Sequence, residues 1–128
     1  MKKTVIGVII MALFLGIMSF SNADAKTYKE NKTYTLKGTV KRVKFMHPNG
    51  MELKSYVIVL KKKIRVKSWI GTVKAKQLDI SINSKSIKKK LKKKLGKIVS
   101  IKGSIYAPGT AWYYNQLTIS PSKAKHIR

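Results

Sequence analysis

The stretch Asn83-Ser84-Lys85-Ser86-Ile87-Lys88-Lys89-Lys90-Leu91-Lys92-Lys93-Lys94-Leu95-Gly96-Lys97-Ile98-Val99-Ser100-Ile101-Lys102-Gly103-Ser104-Ile105-Tyr106 changes its hydrophobic period once. In its first half Ile87, Leu91 and Leu95 recur every fourth residue among lysines, which places one apolar side chain per turn on the same side of a short helix. Asn83 or Ser84 can cap its start through a side-chain oxygen, and Gly96 follows Leu95 where a left-handed residue commonly ends a helix. The period then becomes two. Ile98, Val99, Ile101, Gly103 and Ile105 read as a strand with one face in a core.

The chain has 128 residues, the size of one small domain behind a leader. Residues 1–25 read as a signal peptide: Met1-Lys2-Lys3 is charged, Val5 to Met18 is largely apolar, and Ala23-Asp24-Ala25 is a small-x-small cleavage site. The apolar run falls short of the ~20 residues that cross a bilayer, so the expectation is an exported chain, periplasmic or secreted, with no membrane span after cleavage. Without cysteine, hydrophobic packing alone must hold the fold.

Removal of residues 1–25 leaves 27 basic and 3 acidic side chains, and only Arg42, Arg65 and Arg128 among the basic ones are arginine. Such a balance suits a polyanion partner, or it is a solvated lysine-rich surface. The scarcity of the planar guanidinium fork favours diffuse attraction over bidentate recognition of phosphate.

Ahead of the helix, residues 26–32 read as a flexible lead. Thr33 to Phe45 alternates, with Tyr34, Leu36, Gly38 and Val40 on one parity and Val43 and Phe45 on the other, which predicts a bulge near Lys41-Arg42. His47-Pro48-Asn49-Gly50 is turn chemistry, and His47 reads as an exposed turn histidine. Ser55 to Leu60 is a second strand, Lys61 to Lys63 a turn, Ile64 to Trp69 a third strand and Thr72 to Gln77 a connector. Leu78, Ile80 and Ile82 form a short strand before the helix. After Tyr106 the segment Ala107-Pro108-Gly109-Thr110 turns, Tyr114 to Ser120 is the last strand, and residues 121–128 read as a disordered basic tail.

The expected fold is mainly β: a small OB-like five-stranded barrel over residues 33–120, with one short helix between strands three and four. Gln77-Leu78-Asp79-Ile80, and the run from Leu95-Gly96 through Gly103-Ser104-Ile105-Tyr106-Ala107 with Thr110 beyond, resemble the C-terminal half of a bacterial exported domain family of unknown function with an OB-like barrel. Leu36-x-Gly38, Tyr56-x-Ile58-x-Leu60 and Ile64-x-Val66 match its first half more loosely. In that family the turn after the Gly-x-(Leu/Ile)-aromatic strand often carries histidines, and a Pro and sometimes a Cys precede the third strand. Here Trp112-Tyr113-Tyr114 and Lys62-Lys63 stand in those places. The resemblance implies a fold and names no activity.

Catalysis finds little material. Cysteine is absent, and beyond residue 25 only His47, His126, Glu30, Glu52 and Asp79 could serve a triad, a carboxylate pair or a zinc site, none at a useful spacing. The expectation is a non-enzyme with no cofactor and no metal. Ligands of OB barrels commonly lie across strands two and three, between the loop joining strands one and two and the loop joining four and five. Those loops contain His47 to Glu52 and Ala107 to Trp112. Around them Phe45, Tyr56, Trp69, Tyr106, Trp112 and Tyr113 interleave with Arg42, Lys44, Lys54, Arg65 and Lys67. The candidate ligand-binding set is Arg42, Lys44, Lys54, Arg65, Lys67, Trp69, Trp112 and Tyr113, while Phe45, Tyr56 and Tyr106 also suit a core. The expected function is a non-catalytic binding module for anionic envelope components such as lipopolysaccharide, anionic lipid or polymer, with nucleic acid a partner in vitro only. The alternative is a protein-interaction module, an inhibitor or accessory subunit whose acidic partner is steered by the charge.

Overall fold

A computed structural model describes residues 27–110 and 112–128; the leader read over residues 1–25 lies outside the described residues. In chain order the elements are β1 (Thr27–Lys29), β2 (Thr33–Met46), β3 (Glu52–Ser68), β4 (Gly71–Ile80), α1 (Lys85–Lys93), β5 (Ile98–Tyr106), β6 (Thr118–Ser120) and a 3₁₀ turn at Ala124–His126. The protein is mainly β. Its six strands pair in the order β1-β3-β2-β5-β6-β4, and the further pairing of β3 with β4 closes five of them into a ring.

Leu36, Val40, Ile58, Leu60, Val66, Leu78, Ile80, Val99, Ile101, Ile105, Leu117 and Ile119 form the core, each on the inward parity of its strand or, for Leu117, just ahead of it. Gly38 lies where β2 is paired on both sides, opposite Leu60 and Val99. A Cβ there would overlap the Val59 carbonyl, so the close approach of β2 and β3 requires glycine. The helix covers the core with Ile87 and Leu91, both 0% exposed, and Ser84 caps it by accepting a hydrogen bond from the Ile87 N–H at 3.2 Å. Leu95, expected on the same stripe, is 38% exposed because α1 ends at Lys93. The backbone around Leu95 instead runs along β2: Gly96 N donates to Val40 O at 2.8 Å and Val40 N to Lys97 O at 3.1 Å. Ile98, expected on the buried face of its strand, is 68% exposed, since Val99 and Ile101 set the inward parity.

Several sequence expectations give way. No bulge breaks the β2–β3 ladder, which runs in register from Gly38↔Leu60 to Met46↔Glu52. Val43 and Phe45 change parity because the other face of the hairpin is covered there, Phe45 meeting Tyr114 with ring centroids 5.6 Å apart. Lys61 to Lys63 make no turn, for they lack the Gly, Asn or Pro that a reversal uses. They continue β3, and the irregularity appears in its ladder with β4, where the register shifts between Val59↔Gln77 and Ile64↔Ala75. The reversal comes at Trp69-Ile70, before Gly71 at φ 108°. Thr72 to Gln77 belongs to β4, with Val73 and Ala75 packed against the core. The last strand is confined to Thr118–Ser120, since Tyr114 and Asn115 are tied elsewhere.

Both chain ends of the domain also differ. The lead carries β1, which pairs in parallel with β3 from Thr27↔Arg65 to Lys29↔Lys67. In the tail Ile127 is 0% exposed and bridges Ile101. A single large apolar residue among lysines is enough to dock the segment where β5 has a free edge.

Candidate anion-binding face

Beyond Val40 and Ile58 the β2–β3 hairpin runs on past the ring. Its turn is fixed by local bonds: His47 N donates to Met51 O at 2.8 Å, Gly50 N to His47 O at 2.9 Å, and Met51 N to Asn49 Oδ1 at 2.9 Å. His47 Nδ1 accepts from Asn49 N at 3.1 Å, which leaves the proton of the neutral ring on Nε2. That ring lies against Trp112, with centroids 4.2 Å apart and planes at 35°. The β2–β3 turn and the β5–β6 loop therefore meet.

Two carboxylates position that loop. Asp79, 1% exposed, points out of the core because its neighbours Leu78 and Ile80 occupy the inward parity of β4. Its oxygens accept from Tyr114 N at 2.7 Å, Asn115 N at 3.1 Å and Asn115 Nδ2 at 2.8 Å. Burial pushes the Asp79 carboxyl above its ordinary value, against the pull of these bonds and of one from Ser55. Glu30 holds the other end: Oε1 accepts from Ala107 N at 3.0 Å and Oε2 from Trp69 N at 2.9 Å. Between these anchors Tyr113 bonds to Tyr106 through their hydroxyls, which, with burial and the nearby charge of Asp79, raises the Tyr113 phenol above its usual range. The anchors make the loop a fixed wall beside the hairpin.

The candidate residues fall into two groups. On the hairpin Arg42 faces Tyr56 with its guanidinium carbon 5.7 Å from the ring centroid, and two residues further Lys44 faces Lys54. These three cations are exposed, and Trp112, 52% exposed, stands at the same end with Tyr113 half-buried behind it. Arg65 and Lys67 lie where β3 pairs with β1 and β4: Arg65 faces Thr27 and Lys74, and Lys67 faces Lys29 and Thr72. Trp69 is 68% exposed, yet its indole N–H donates to Ala107 O at 2.8 Å. Gly109 lies against that ring, where a Cβ would come within 2.6 Å of Trp69 Cζ2. Tyr56, one of the aromatics read as either platform or core, is buried.

Sequence reading missed five contributors. His47 is more than a turn residue, since it braces Trp112. Glu30 and Asp79 act as loop anchors, and an acid between Leu78 and Ile80 in an alternating strand is the signal that could have revealed the second. Met46 and Met51, 64% and 51% exposed, flank His47 and extend the aromatic tip. The remaining described carboxylate, Glu52, faces Met46 across the hairpin. Among the described residues no three His, Asp or Glu side chains converge as a metal site requires, and no helix is long and apolar enough to cross a membrane.

No protein-family model and no curated protein matches the chain.

Proposed function

We propose that the protein is an exported, non-catalytic OB-like module that binds anionic components of a cell envelope, lipopolysaccharide, anionic lipid or polymer, at the projecting end of the β2–β3 hairpin. The ring supports the OB-like reading. Numbered along the chain, its strands follow one another as first, second, third, fifth and fourth before returning to the first, and α1 lies between the third and the fourth. The leader over residues 1–25 supports export.

The observation that carries the function is the His47–Trp112 contact at 4.2 Å. It joins the two loops that flank the ligand face of such barrels, at the end of the hairpin whose other face carries the exposed cations Arg42, Lys44 and Lys54. An indole and two thioethers at the tip can enter the boundary between head groups and acyl chains, while the cations stay with the phosphates. Glu30 and Asp79 do not cancel this charge, because both are turned to loop amides.

Tryptophan fluorescence tests the proposal, with lipopolysaccharide and phosphatidylglycerol vesicles titrated into the protein at low and physiological salt. Trp69→Phe leaves Trp112 as the reporter. A saturable blue shift that persists at physiological salt is expected. No shift, or one abolished by modest salt, would reject this face and turn attention to the protein-partner reading.

A further inference from the structure

Pro121 ends β6, and the seven residues that follow fold back along β5. Ser100 N donates to Arg128 O and Arg128 N to Ser100 O, both at 2.9 Å, so the tail completes the edge of β5 that β6 leaves unpaired. Ile127, the residue before this pair, enters the core and bridges Ile101. Because side chains alternate along an extended segment, burying Ile127 directs His126 and Arg128 to the opposite side. There the outer face of β2 and β5 presents Thr35, Ser100 and Lys102, with Thr35 and Lys102 in direct register. Together with Lys125, these side chains line a hollow of about 580 Å³.

The charged side chains that line the hollow have one sign. Lys102, Lys125 and Arg128 border it, and the acidic side chains Glu30, Glu52 and Asp79 lie elsewhere, just after β1, at the hairpin tip and on β4. His126 Nδ1 is 3.1 Å from the Ser122 hydroxyl, and its imidazole is held below the ordinary histidine value by burial and by the cations of Lys102, Lys125, Lys123 and Arg128. A docked tail that gathers like charges around a concave surface is compensated when an anion occupies it. Two hydroxyl donors and an arginine fork add direction to what lysines alone would attract diffusely.

We infer that this hollow binds a phosphate group, as inorganic phosphate or as the phosphomonoester of a small molecule. Arg128, Lys102 and Lys125 supply the charge, the hydroxyls of Thr35 and Ser100 donate to its oxygens, and His126 forms one wall. The site is independent of the hairpin face: it lies at the other end of β2 and on β5, uses other residues, and holds or fails on its own.

The two histidines of the chain make the test internal, since His47 reports the hairpin tip and His126 the hollow. Imidazole resonances of the ¹³C-labelled protein are followed during titration with inorganic phosphate and with glycerol 3-phosphate, at fixed pH and at ionic strength matched with chloride. His126 is expected to shift saturably and its pKa to rise, because a bound anion favours the imidazolium, while His47 stays in place. Lys102→Ala and Arg128→Ala, both at exposed side chains, are each expected to weaken binding about tenfold with the fold intact. Tighter binding of glycerol 3-phosphate identifies the ester as the ligand class, and equal or weaker binding identifies free phosphate. A His126 resonance that stays still, or drifts linearly together with His47, overturns the site. So does binding that neither substitution weakens.

Discussion

Val40 and Ile58 face each other across β2 and β3 at 0% exposure, and four residues along the same pair of strands Lys44 faces Lys54 in open solvent. Pleat, register and strand pair are the same in both places. What differs is the neighbourhood: the inner half has β5 on its other edge and α1 over its face, whereas the outer half has passed the end of β5. Its second face is covered by the β5–β6 loop through Phe45 and Tyr114, and its first is left bare. One hairpin thus serves as core where the ring surrounds it and as a charged platform where it projects.

The sharpest way to break that contrast is Ile58→Ala, expected to lower stability by about 2–5 kcal/mol through the cavity left in the inner half. Denaturant unfolding reads it, and a loss below about 1 kcal/mol would mean that the two halves are alike. Gly38→Ala drives a methyl into the Val59 carbonyl on the same inner half, with an expected loss of about 1–3 kcal/mol by the same measurement. Asp79→Asn tests the cover of the outer half. Keeping the shape but exchanging an accepting oxygen for a donor leaves a loop amide unpaired, at a cost of about 1 kcal/mol at neutral pH.

That substitution also carries a pH signature. Burial raises the folded Asp79 carboxyl above its reference value of 3.8, so the folded chain takes up this proton where the unfolded chain has released it. The resulting stabilisation is full below the unfolded value and disappears as pH rises through the folded one. The advantage of the natural chain over Asp79→Asn should therefore widen on acidification; a constant gap would show that burial does not govern this group. The smallest effect on stability belongs to the platform, where Lys44→Ala with Lys54→Ala should change unfolding by no more than about 0.5 kcal/mol, since the pair removed is a cross-strand repulsion. The same double variant should lose vesicle affinity, which separates the halves by function.

Local signals were legible in the sequence. Ser84 and the Ile87–Leu91 spacing specify a helix and its capped start, and the structure keeps both, while the helix stops at Lys93, short of the end read at Leu95-Gly96. Long-range choices were not. Whether Lys61 to Lys63 turn or continue depends on the pairing of β4 with β3 on either side of them, at Val59 and Ile64, and a lead as short as Thr27–Lys29 becomes a strand only because β3 offers an edge. The site follows the same division. The turn at His47 and the loop at Trp112 could be placed at one end of the fold from strand order alone. Arg65 and Lys67 lie at the other end of β3, beside β1 and β4, a separation along one long strand that residue spacing alone does not reveal, while Trp69 returns to the β5–β6 loop through Ala107.

The ring has a consequence for timing. β2, among the first strands to be made, pairs with β5 about sixty to seventy residues later, and Asp79 and Ile80 find their parallel partners only at Thr118 and Ile119. Closure must await almost the whole polypeptide, and sheets dominated by such distant pairings form on the order of milliseconds to seconds once complete. Until that last strand is available, a nascent chain of this design can form its β2–β3 and β3–β4 hairpins but not the closed ring.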